Sequence, residues 1–88
     1  MKQIKKIILK PSELTYDIPK GGIIRYINHK KHDIYLWIEV DLDQGIEQRN
    51  FEIFTENSII PNDFIYIGTV YMRKYKEIYH IYEHPKFP

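Results

Sequence analysis

"IYLWIEVDL", residues 34–42, alternates without a break. Ile34, Leu36, Ile38, Val40 and Leu42 take one set of positions; Tyr35, Trp37, Glu39 and Asp41 take the other. Successive side chains of a strand point to opposite faces, so this segment reads as a strand with one aliphatic face and one that starts aromatic and ends acidic. The aliphatic face belongs to a core. The other carries the only tryptophan of the chain and asks for a purpose.

The same alternation, with turn punctuation, extends in both directions. Upstream lie expected strands at 4–9, 13–18 and 23–28, separated by Pro11 and by "PKGG" at 19–22. Downstream lie strands at 48–56, 64–72 and 77–83, with Gly68 as a bulge or a point of close approach and "HPKFP", 84–88, as a C-terminal tail. Alanine is absent while isoleucine and tyrosine abound, a bias away from helix and toward strand. The connections are too short for parallel crossovers. The expected fold is therefore all-β: one domain over residues 1–88, an antiparallel meander of six or seven strands forming a small sandwich or barrel. Its expected core is Ile24, Tyr26, Leu36, Ile38, Val40, Phe51, Ile53, Ile65, Ile67, Ile78 and Tyr82, with the inward face of the last two strands left open.

Length and charge bound the function. A chain of 88 residues buries only roughly 60–65% of its unfolded surface, which makes homo-oligomerisation a natural way to gain burial. With no cysteine there is no disulfide, thiolate metal site or cysteine nucleophile. A net charge of +1 does not suit a general nucleic-acid binder. No stretch approaches the roughly 20 apolar residues of a membrane helix, and the apolar run in "MKQIKKIILK" is too short for a signal peptide. The expectation is a soluble, cytoplasmic protein.

Motifs for chemistry are sparse. "HKKHD", 29–33, offers His29, His32 and Asp33 to a divalent metal, but at a turn tip where Lys30 and Lys31 repel a cation, so no metal site is assigned. "DLDQGIE", 41–47, resembles a calcium loop only faintly and reads as a polar turn. Lysines gather at 2–10, at 30–31 and with Arg73 at 73–76; solvated turns and guarded strand edges account for them, and a phosphate-binding rim is the functional alternative. No catalytic signature appears and no cofactor is expected. Tyr35 and Trp37 lie about 7 Å apart along one strand face. Antiparallel neighbours are expected to bring Arg25, Arg49, Thr55, Thr69 and Tyr71 beside them. Aromatic rings next to guanidinium groups stack a base and grip its phosphates. A second small core or a subunit seam explains the same face more simply.

Trp37, Val40–Asp41, Arg49 with Phe51 and Thr55, Ile60–Pro61, "YIGTV" at 66–70 and "HIYE" at 80–83 follow one another in an order that resembles a family of small proteins encoded by bacteriophages and prophages and carried as a domain of unknown function. A composition rich in residues with AT-heavy codons fits such a source. The resemblance implies an accessory role in a host cytoplasm rather than a chemistry. The leading expectation is a counter-defence protein that sequesters a nucleotide-derived second messenger without cleaving it, through Tyr35, Trp37, Arg25, Arg49, Thr69 and Tyr71. The alternatives are a protein-binding inhibitor of a host factor and a small hydrolase around His80, Thr69 and Glu83.

Overall fold

The computed structural model describes residues 1–86, so Phe87 and Pro88 of the expected tail lie outside the described residues. Seven strands form: β1 (Lys2–Leu9), β2 (Thr15–Pro19), β3 (Ile23–Lys30), β4 (Asp33–Asp41), β5 (Ile46–Phe54), β6 (Ile65–Met72) and β7 (Glu77–Glu83), with a 3-10 turn at Arg73–Tyr75 between the last two. Each lies within two residues of the strand expected from alternation and turn residues. Among the described residues no helix is long and apolar enough to cross a membrane.

All pairings are antiparallel, and they divide the strands between two sheets, ordered β1-β4-β3 and β2-β5-β7-β6. The sheets stack as a sandwich. The order departs from a simple meander because β1 and β2 do not pair with each other. A bridge between Lys10 and Glu13 closes a tight turn between them and sends the chain from one layer to the other.

The aliphatic face of β4 is the centre of the core. Ile34, Leu36, Ile38 and Val40 are buried against Leu9, Ile18, Phe51, Val70, Met72 and Ile81. Of the expected core, Leu36, Ile38, Val40 and Phe51 are buried, and Ile24, Ile53 and Ile67 pack at its margin. Tyr26, Ile65 and Ile78 are instead exposed, and Tyr82 faces outward with its strand neighbours Ile78 and His80. Two bulges explain part of this. The register of β3 slips between Ile24 and Tyr26, so Arg25 is an extra residue and Tyr26 turns out of the core while Ile27 turns in. The register of β6 slips between Tyr66 and Gly68, so Ile67 is the extra residue there. Gly68 is also a close approach between layers: a Cβ there would stand 3.0 Å from Cγ2 of Ile27.

Arg49 points into the sandwich from β5. Its Nε donates to Glu83 Oε2 at 2.6 Å, its Nη2 to Glu83 Oε1 at 2.7 Å, and its Nη1 to the carbonyl of Gly22 at 2.5 Å. The two side chains keep only 9% and 8% of their accessible surface, so this two-pronged ion pair belongs to the interior.

Candidate functional site

The outer face of the β1-β4-β3 sheet follows from its register. Trp37 lies between Lys6 of β1 and Tyr26 of β3; Tyr35 lies between Ile8 and Asn28; Glu39 lies between Ile4 and Ile23. The Arg25 bulge delivers Tyr26 to this face. Its ring stands 5.4 Å from that of Trp37 at 49°, and Tyr35 stands 5.9 Å from Trp37 at 43°. Both distances fall in the favourable range for aromatic pairs. Asn28 Nδ2 donates to the Tyr26 hydroxyl at 3.1 Å, and Lys6 Nζ lies 5.0 Å from the centre of the Tyr35 ring. Tyr26 remains 57% exposed, and Ile4, Ile8 and Ile23 are exposed beside it. Three aromatic and three aliphatic side chains thus share one face that no element among the described residues covers.

Charges border it. Arg25 donates from Nε to Glu39 Oε1 at 3.3 Å, and Lys2 Nζ approaches Glu39 Oε2 at 3.6 Å. The Arg25 hydrogen bond, more than anything else, holds the Glu39 carboxyl below its ordinary range. The terminal amine of Met1 lies 2.8 Å from Asp43 and 3.3 Å from Asp41.

The remaining residues expected at this face lie elsewhere. Only Arg25 joins Tyr35 and Trp37, and its guanidinium is already engaged by Glu39. Arg49 is in the other sheet, bound to Glu83. Thr69 and Tyr71 are on the outer face of β6, beyond the core from Trp37, and Thr55 is at the exposed end of β5. Assigning strands to layers was the missing step: alternation gives the face of a strand, not the sheet to which the strand belongs.

Thr69 has partners of its own. Its Oγ1 lies 2.9 Å from His80 Nδ1 and 2.6 Å from the Tyr66 hydroxyl. Tyr66 stacks edge-on with Tyr82, which stacks edge-on with Phe54, and Phe64 and His84 close the group. The "YIGT" and "HIYE" stretches therefore meet across the β6–β7 pairing. Glu83 faces inward, away from Thr69 and His80, so the three residues considered for hydrolysis do not converge. Sequence reasoning missed Tyr66 here; its signal was its place three residues before Thr69 across a glycine-marked bulge.

The surface also carries two cavities. One of about 330 Å³ opens at the end of the sandwich, with Leu9, Ile34, Phe51, Met72 and Tyr79 within and Lys10, Glu13 and His32 at the rim. A second of about 220 Å³ lies along β5, between Glu47, Arg49 and the segment His84–Lys86. Neither includes Tyr35 or Trp37. In "HKKHD", His29 Nδ1 approaches the Lys31 carbonyl at 3.1 Å and His32 stacks on Tyr75 at 4.0 Å. Among the described residues no group of three His, Cys, Asp or Glu side chains is placed to hold a metal ion.

The fold and this face define a small all-β sandwich with an uncovered aromatic sheet surface. The chain belongs to the family described as Domain of unknown function (DUF7352), whose match spans residues 1–88. No curated protein and no solved structure matches it.

Proposed function

We propose that the protein is a binding module that works without catalysis and engages a protein partner through the outer face of the β1-β4-β3 sheet. One observation carries this reading: half-buried Trp37 packs between exposed Tyr26 and half-buried Tyr35 on an outer sheet face, flanked by Ile4, Ile8 and Ile23 and rimmed by Lys2, Lys6 and Arg25. Apolar cores rich in Trp and Tyr with a charged rim are the anatomy of protein interfaces. Neither of the two cavities described is lined by Tyr35 or Trp37, which favours a surface partner over an enclosed small molecule. The resemblance to phage and prophage proteins supplies a setting, an accessory factor that binds and blocks a host defence protein in the host cytoplasm. A second copy of the chain is a further occupant of the same face.

Sequestration of a nucleotide-derived messenger is the second reading. What supports it is the Tyr35–Trp37 pair with Arg25 and Lys6 beside it, groups suited to stack a base and meet a phosphate. It ranks below the first because Arg49, Thr69 and Tyr71 do not join that pair.

Affinity capture from a host lysate with the wild-type chain and with Trp37→Glu tests the first reading; a stoichiometric partner recovered by the former and lost by the latter is expected. Incubation with cyclic nucleotides and ADP-ribose derivatives, followed by heating, tests the second through release of intact ligand. Light scattering at micromolar concentration reads whether a second copy occupies the face. A Trp37→Glu chain that retains the same partner overturns the proposal.

A further inference from the structure

The four strands that end the two sheets are not alike. β3 and β6 each carry a bulge, at Arg25 and at Ile67. β2 is five residues long and ends in Pro19. Bulges, brevity and proline are the devices by which proteins blunt a sheet edge against added strands. β1 has none of them. Its register against β4 runs without interruption from Lys2↔Asp41 to Leu9↔Ile34, and among the described residues its other edge pairs with no strand. Its first five residues are exposed whichever face they point to; only Ile7 and Leu9 reach toward the core. The uninterrupted edge of β1 is guarded by charge, through Lys2, Lys5 and Lys6, with Lys10 just past its end. Among the described residues Lys5, Lys6 and Lys10 make no ion pair.

That guard is selective. Two β1 edges brought together would oppose lysine to lysine, so it works against a second copy. An extended segment bearing Asp or Glu meets the same lysines as counter-charges while its backbone satisfies the open hydrogen-bonding groups of the edge. We infer that β1 is a docking edge for an acidic, extended segment of another protein, which adds to the β1-β4-β3 sheet as a fourth strand. The edge borders the Trp37 face and shares Lys2 and Lys6 with its rim, but the backbone groups that an added strand would meet lie in the plane of the sheet, and the inference holds whether or not the aromatic face is used.

The probe is a synthetic octapeptide alternating Glu with Val and Thr, titrated into the isotopically labelled full chain and followed by NMR and amide hydrogen exchange. Expected are slowed exchange at alternate amides within Lys2–Leu9, affinity that weakens as salt rises, and at least a tenfold loss in the double variant Lys5→Glu/Lys6→Glu. That variant leaves the core untouched, and the same spectra report its fold. It should in turn gain affinity for the lysine-for-glutamate peptide. Methylating one alternating set of peptide amides should abolish binding while methylating the other leaves it, because only one set faces β1. Lys74→Glu, a charge reversal in the turn between β6 and β7, should leave peptide affinity unchanged within twofold. No binding at millimolar peptide, protection at β2, β3 or β6 instead, equal effects of both methylated sets, or β1-to-β1 pairing of the free chain would each overturn the inference.

Discussion

Arg49 and Glu83, 34 residues apart, are joined by two parallel hydrogen bonds inside the sandwich, and the third guanidinium contact holds the carbonyl of Gly22. The pair ties β5 to the end of β7 and to the turn before β3. Removing one member leaves a buried charge unpaired, so Glu83→Ala should cost about 3–5 kcal/mol, whereas Arg49→Met with Glu83→Leu should recover most of that loss. Chemical denaturation of the three chains checks it. A Glu83→Ala midpoint equal to that of wild type would show that the pair does not matter for stability.

Gly22 sits under the same guanidinium. A Cβ there would stand 3.0 Å from Cγ2 of both Ile18 and Ile38. Both neighbours are fully buried and cannot withdraw, so Gly22→Ala should destabilise by about 1–3 kcal/mol. Gly45 has nothing within 4 Å of such a Cβ, and Gly45→Ala should stay within about 0.5 kcal/mol of wild type. Thermal melts of the two variants separate close packing from a general intolerance of side chains.

Neighbouring residues of β4 should behave in opposite ways. Leu36 is wholly buried, and Leu36→Ala should cost about 2–5 kcal/mol. Trp37 points outward, so Trp37→Ala should change the melting temperature much less while removing partner binding. Because Trp37 is the single tryptophan, its emission in the wild-type chain should shift to shorter wavelength when a partner covers the face.

Acid should loosen the fold through three carboxyls. Arg25 lowers the Glu39 value, the Asp43 amide lowers that of Asp41, and Lys86 together with the Gly21 amide lowers that of Glu47. A group whose folded value lies below its unfolded one contributes stability that is complete above the unfolded value and vanishes as pH falls through the folded one. Melting temperature should therefore hold steady from the ordinary glutamate value of 4.5 up to neutral pH and decline progressively below 4.5. Glu47→Gln should make that decline shallower, and added salt should weaken the effect, since all three groups are near solvent.

The strands were legible because alternation and turn residues are local. Ile34 to Asp41 shows its two faces in the sequence alone, and β7 has the boundaries expected of it. The meeting of Tyr35 and Trp37 was legible for the same reason. Tyr26 was misplaced because nothing in "IIRYIN" announces that Arg25 is an extra residue; the bulge is settled by packing Ile24 and Ile27 on one side at once. Ile78 and Tyr82 were misplaced because both sets of positions in β7 are apolar enough to face inward. The allotment of Arg49, Thr69 and Tyr71 to the second layer, and the partnership of Arg49 with Glu83, depend on contacts between residues far apart in the chain, which periodicity does not record.

The order of pairing also governs how the chain comes together. Lys2 finds its neighbour at Asp41 and Thr15 finds its own at Asn50, so β1 and β2 wait for β4 and β5. Only the 23–41 and 65–83 hairpins can form from adjacent sequence. Closing the long loops to the N-terminal strands is the slow, entropically costly part of assembly. Until β4 is in place both edges of β1 are open, and lysines on an open strand disfavour pairing between copies.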